Sequence, residues 1–176
     1  QDRNPGYTSQ LTNRIAIEDN VLVANGLNGA TGWGFLFTSG SHNVSIRHNT
    51  LLSSSFPGFT GCTATTTPSY MCIDPEPYKQ TGFAYKDNLV VGGITTGYYE
   101  FIGDGLATTN TTLSAYFSNY TFTNNVLVAA ASGTNPPGNF FPANTGAVGF
   151  TNYVGGDYSL TVGSAYHNAA SDGTDI

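Results

Sequence analysis

Apolar and polar positions alternate in four stretches of this chain, and each alternation runs into an asparagine followed by a second apolar run. The stretches read NRIAIEDNVLV (Asn13–Val23), HNVSIRHNTLL (His42–Leu52), TGFAYKDNLVV (Thr81–Val91) and SNYTFTNNVLV (Ser118–Val128). Aligned, they put Asn20, Asn49, Asn88 and Asn125 in one column. Ile15 and Ile17, Val44 and Ile46, Phe83 and Tyr85, and Tyr120 and Phe122 precede that column, and Leu22, Leu51, Val90 and Leu127 follow it. Alternation, a polar bend and a further apolar run predict a strand, a sharp turn and another strand. Repetition of one template, with no segment of helical period, predicts a solenoid of stacked coils. Identical amides spaced by the ~4.8 Å between strands can bond to one another, so the column predicts an inward-facing asparagine ladder.

The ladder asparagines are 29, 39 and 37 residues apart, so the variation lies in the connections. Gly34–Ser39, Met71–Asp74, Tyr98–Gly103 and Gly146–Phe150 each read as a further strand, the last opening a degenerate fifth coil in which Tyr153 stands where the ladder asparagine belongs. About five coils of three parallel strands result, closed by a polar C-terminal segment that covers the last one. Residues 1–176 form a single domain, read as part of a longer chain or assembly, since the segment before Thr12 is short and polar.

Composition narrows the function. Charged residues are 9% and aromatics 13%, which is the reverse of a disordered chain. A formal charge of −6, with five Lys and Arg, argues against nucleic acid and against an anionic membrane surface. No apolar stretch approaches the ~20 residues of a spanning helix, and a start at Gln1 without a targeting stretch reads as a mature or excised segment. Cys62 and Cys72, nine residues apart in a loop-like stretch, favour a disulfide over two free thiols and place the chain outside the cell or on its surface. That bridge would contribute about 3 kcal/mol.

Candidate chemistry is sparse. By alternation, Glu18, Arg47, Lys86 and Thr123 face outward as one column. The next column holds Asp19, His48, Asp87 and Asn124, where a His between two Asp reads as an acid of raised pKa or, more simply, as one more polar rung at the turn. Glu18, Arg47 and Lys86 are the catalytic candidates, able to grip a uronic acid or to act as a base; a solvated ion pair across coils is the simpler account of them. Trp33, Tyr98, Tyr99 and Phe101 are candidates for stacking on sugar rings, against burial beneath the connections. The acidic pairs Asp74/Glu76, Glu100/Asp104 and Asp172/Asp175 could coordinate calcium together with carbonyl oxygens, but the sequence shows no cluster of the six to eight oxygens calcium takes; no cofactor is expected, with calcium at one of these pairs as the alternative. Asn43, Asn110 and Asn119 open glycosylation sequons, Asn110 in the most accessible loop and the other two in more enclosed positions ahead of strands.

These units resemble coils of the right-handed parallel β-helix family, whose best-known members are the pectate-lyase-like enzymes. The ending from Asp157-Tyr158-Ser159-Leu160 to Asp172-Gly173-Thr174-Asp175-Ile176, with YYEFIGDG and NPPGNFFPA, is similar to the C-terminal coils of large secreted bacterial β-helix proteins. The resemblance implies a right-handed parallel β-helix and either a structural module or an enzyme. The Asn-Thr-Asp, Asp-Asp and Gly-His-Gly motifs of the family's hydrolases are absent, and Arg47 lacks the partner lysine of their basic motif. The reading is therefore a secreted or cell-surface structural module: a fibre, filament or adhesin subunit, associating end to end or with neighbouring domains. Two alternatives stand beside it, a polysaccharide lyase or glycoside hydrolase for acidic glycans, and a non-catalytic glycan-binding module.

Overall fold

In the computed structural model the described residues are 12–25, 34–38, 41–53, 58–61, 79–92, 100–103 and 106–176. Strand dominates. In chain order the strands are β1 (Thr12–Glu18), β2 (Val21–Asn25), β3 (Phe35–Thr38), β4 (Ser41–Arg47), β5 (Thr50–Ser53), β6 (Gly58–Gly61), β7 (Gln80–Thr81), β8 (Ala84–Lys86), β9 (Leu89–Val91), β10 (Phe101–Gly103), β11 (Phe117–Ser118), β12 (Thr121–Thr123), β13 (Val126–Val128), β14 (Phe150–Asn152) and β15 (Asp157–Leu160).

Every pairing from β1 to β13 is parallel, and each joins a strand to its counterpart in the next repeat. One sheet runs β1-β4-β8-β12, a second β2-β5-β9-β13 and a third β3-β6-β10, with a small β7-β11 pair beside them. The register aligns the apolar positions: Ile17, Ile46, Tyr85 and Phe122 form one column, and Leu22, Leu51, Val90 and Leu127 another. These columns meet Phe35, Phe83, Phe101, Phe117 and Leu113 in a core rich in aromatic contacts. Tyr85 stacks on Phe122 with centroids 5.0 Å apart, and Phe83 meets Phe117 at 4.3 Å. Tyr120, which precedes the asparagine column as Phe83 does in the repeat before, is 36% exposed where Phe83 is buried.

The second sheet is apolar on both faces, which is why its strands read VLV and LVV without alternation. Leu89, Val91, Val126 and Val128 point away from the first core into a second one with Val148, Tyr166, Ala170 and Ile176. The C-terminal segment therefore lies along the outside of this sheet.

The strand read over Met71–Asp74 lies outside the described residues, and from that connection it is Gly58–Gly61 (β6) that joins the third sheet. Two expectations about elements fail. A helix, α1 (Thr109–Tyr116), stands where no helical period was read. Its buried residues Thr109, Thr112, Leu113 and Tyr116 follow helical spacing, but two are threonines and escape a count of apolar residues. Thr108 caps it, its side chain accepting from the Thr111 N–H. Glu100 accepts from the Thr109 N–H at 3.1 Å and hydroxyl at 2.6 Å, and from the Thr134 hydroxyl at 2.6 Å. Gly146–Phe150 is not a strand: Thr145–Ala147 is a short 3-10 turn capped by Asn144, and β14 pairs antiparallel with β15 as a hairpin. Tyr153 packs against Phe150 and Tyr158 in that hairpin and takes no place in the asparagine column.

Candidate functional site

Each repeat bends at two residues with positive φ, five positions apart. Arg14, Asn43, Gly82 and Asn119 take the first bend, with φ of 59°, 53°, 66° and 53°. Asp19, His48, Asp87 and Asn124 take the second, with φ of 57°, 50°, 57° and 56°. Asn, Asp, His and Gly tolerate this left-handed region, and Arg14 is the one side chain here with no such preference. Gly82 is needed for a second reason, because a Cβ there would run into the Asn43 side chain.

The second bend delivers the ladder asparagine immediately after it. The Asn20 N–H and Nδ2 donate to Asn49 Oδ1 at 3.2 and 3.0 Å. Asn49 does the same to Asn88 at 3.1 and 3.0 Å, and Asn88 to Asn125 at 3.0 and 3.0 Å. The run does not stop at Asn125, which donates through N–H and Nδ2 to Asn139 Oδ1 at 2.9 Å each. Asn139 was not read from the sequence because its segment, Gly138–Pro142, lacks the alternating template. It joins as a further rung by backbone pairing: the Phe140 N–H donates to Asn125 O and the Leu127 N–H to Phe140 O, each at 2.8 Å. Asn49, Asn88 and Asn125 are buried; Asn20, expected inward like them, is exposed.

Outside the bend lies the charged face. Arg47 Nε and Nη2 sit 2.8 and 3.1 Å from the two Glu18 oxygens, a forked pair on half-exposed side chains. The Arg47 guanidinium, aided by the Ser45 hydroxyl, holds the Glu18 carboxyl below the ordinary range. Lys86 is not part of that pair: Nζ donates to Ser171 Oγ at 3.1 Å and lies 3.6 Å from Asp87 Oδ2. The three catalytic candidates thus divide between two structural contacts.

The next column anchors the C-terminal segment. Asp87 is fully buried, and Ser171 donates to it through its N–H at 2.7 Å and its hydroxyl at 2.6 Å. His48 Nε2 lies 2.9 Å from Asp172 Oδ2, and His48 Nδ1 3.3 Å from Asp175 O. Asp172 in turn accepts from the Thr174 hydroxyl and N–H, which with His48 hold its pKa at about 2. Asp175 accepts from the Asn168 N–H at 2.8 Å and lies 2.7 Å from His167 Nδ1. Asp172 and Asp175 are therefore turn and latch residues. Glu100 caps α1. Among the described residues no group of three or more His, Cys, Asp or Glu could hold a metal ion.

Comparison of the chain with protein-family models, with curated proteins and with solved structures finds no match.

The remaining candidates are placed as follows. Phe101 is 2% exposed within the core, which removes it as a sugar-stacking surface. Trp33, Tyr98 and Tyr99 lie outside the described residues, as do Cys62, Cys72, Asp74, Glu76 and Asp104. The sequon positions reverse the expected order of access. Asn110 is half-buried in the first turn of α1, its amide 3.4 Å from Gly133 O, because the threonines around it form a helix and not a loop. Asn43 and Asn119 are exposed, because each occupies a bend, although the Asn43 amide already donates to Asn13 Oδ1 at 2.9 Å. Among the described residues no helix is long and apolar enough to cross a membrane.

Proposed function

We propose that this chain is a right-handed parallel β-helix serving as a structural module of a secreted or cell-surface protein, within a fibre, filament or adhesin. The fold part of the reading is supported by repeat-to-repeat parallel pairing in three sheets and by the asparagine column. Right-handed crossovers are the general rule for parallel strands. Five rungs follow if Asn139 is counted as the last.

One observation carries the functional part. The outward charged groups at the second bend spend their bonds on one another and on the C-terminal segment: Glu18 on Arg47, Asp87 and Lys86 on Ser171, His48 on Asp172. A hydrolase needs carboxylates facing substrate across roughly 5–10 Å, and a lyase needs a base free to take a proton. Here the same groups hold the molecule together. The exposed sequons at Asn43 and Asn119 support extracellular display.

The experiment is incubation of the purified protein with acidic and neutral polysaccharides, read as new reducing ends and unsaturated uronates. The structural reading expects neither product. Product formation abolished by Arg47→Ala would overturn it, and retention on an immobilised glycan without product would replace it by a binding module.

A further inference from the structure

The three histidines of the chain meet different partners, and the partners set how many ring protons each one needs. His42 Nδ1 receives the Thr81 N–H at 3.4 Å and lies 2.7 Å from the Thr81 hydroxyl, so a neutral ring serves there. His167 turns Nδ1 to Asp175 Oδ1 at 2.7 Å, which a neutral ring with its proton on that nitrogen also satisfies. His48 is set between two acceptors: Nε2 lies 2.9 Å from Asp172 Oδ2, and Nδ1 lies 3.3 Å from the Asp175 carbonyl. A backbone carbonyl does not donate, and Asp172, titrating at about 2 chiefly because of Thr174, only accepts near neutral pH. Neutral imidazole has one N–H to give, and imidazolium has two. The His48 side chain is 13% exposed, so water has little room to serve a nitrogen left bare.

Both acceptors belong to the strap, Tyr166–Ile176, whereas His48 belongs to the body, at the bend between β4 and β5. The other bonds across this seam join Ser171 to Asp87 and Lys86. The charges around the ring are mostly negative. Glu18 and Arg47 pair in the adjoining column, and Asp19 and Asp87 hold the same bend in the coils on either side, Asp87 beside Lys86. The Asp175 carboxylate faces His167 and the Asn168 N–H. Beneath the strap, Leu89, Val91, Val126 and Val128 pack with Tyr166, Ala170 and Ile176.

We propose that the strap is a pH-gated cover over the second sheet, closed by the His48 imidazolium and loosened when that ring gives its proton to solvent. The imidazolium donates to both strap acceptors. Its deprotonation withdraws one donor and removes the positive charge beside the Asp172 carboxylate. The contribution to closure is present where free histidine is protonated, below about pH 6.5, and is lost as pH rises through the titration of the closed form. Asp172 acts with the opposite sign, since its own protonation weakens the strap toward pH 2. The cover is therefore tightest at mildly acidic pH, and pH sets how often the apolar outer face of the second sheet opens to solvent.

The test is hydrogen exchange of the intact protein between about pH 5 and pH 8, the range in which histidine is the side chain that ordinarily titrates. Protection factors, corrected for the intrinsic pH dependence of exchange, are read alongside the ring-nitrogen chemical shifts of His48. At the acid end both ring nitrogens should carry protons. By the alkaline end the Ser171 and Ile176 amides should lose about tenfold or more in protection, the effect of one charge-assisted hydrogen bond, while Asn88 and Asn125 stay unchanged. His48→Asn keeps a residue that takes this bend, as Asn124 does, but removes the ring. It should hold the strap at the parent's alkaline level throughout, with ladder protection showing that it is folded. Flat strap protection in the parent, or a singly protonated His48 ring at the acid end, would overturn the proposal without reference to the variant. So would a pH dependence that survives in His48→Asn, since His167 would then carry it.

Discussion

Ser171 closes on Asp87 with both of its donors: the backbone N–H bonds one carboxylate oxygen at 2.7 Å and the hydroxyl the other at 2.6 Å. The carboxylate is fully buried, so these bonds, with Lys86 Nζ at 3.6 Å, stand in for the water it gave up on folding. The contact ties residues 84 apart in sequence and fixes the C-terminal segment along the second sheet.

Ser171→Ala should therefore cost about 1–3 kcal/mol, the range for leaving a buried acceptor short of a partner. The loss should be local at first. Hydrogen exchange should accelerate over Tyr166–Ile176 while the Asn88 and Asn125 backbone amides keep their protection. Uniform acceleration across all strands would show that the segment is not a separable strap.

Within the ladder, position sets the cost. Asn88→Ala removes a rung that accepts two bonds from Asn49 and donates two to Asn125, all of them buried. It should destabilise by about 2–4 kcal/mol, as expected for several orphaned buried groups. Asn20→Ala, at the exposed end, should cost less than about 1 kcal/mol. Equal shifts of the denaturant midpoint would refute a directional ladder.

Tyr85 has its hydroxyl buried in the core with no hydrogen-bond partner among the described residues, and burial drives its pKa upward. Tyr85→Phe keeps the ring stacked on Phe122 and removes the unsatisfied oxygen. It should raise stability by about 1 kcal/mol, the lower end of the cost of a buried group without a partner. A clear loss of stability would mean that the hydroxyl is bonded.

Acid should act on the strap in a defined window. Asp172 titrates at about 2, mainly because of the two bonds from Thr174. A depressed carboxylate adds stability above its unfolded pKa of about 4, and that stability is lost as pH falls toward 2. Thr174→Val should move the Asp172 titration upward, so that the strap loosens at milder acid. Carboxylate chemical shifts followed against pH would show it, and an unmoved titration would contradict the assignment of cause.

What the sequence alone determined is the repeated unit. An alternating strand, a polar bend and an asparagine recurring in register can satisfy their amides only by stacking, so Asn20, Asn49, Asn88 and Asn125 were readable as one column. The two-sided apolar runs Leu89–Val91 and Val126–Val128 likewise announced burial on both faces. Only the tertiary structure decided what fills the outer face and where the column ends. Ser171 and Asp87, or Asn125 and Asn139, meet through chain paths that carry no periodic signal, since a single hydrogen bond between distant loops leaves no pattern in the residues between. The same holds for the outward charges. Glu18, Arg47 and Lys86 share a column by strand geometry, but which carboxylate each cation meets depends on the positive-φ bend that sets Asp87 beside Lys86 and on Ser171 arriving from the far end of the chain to cover it.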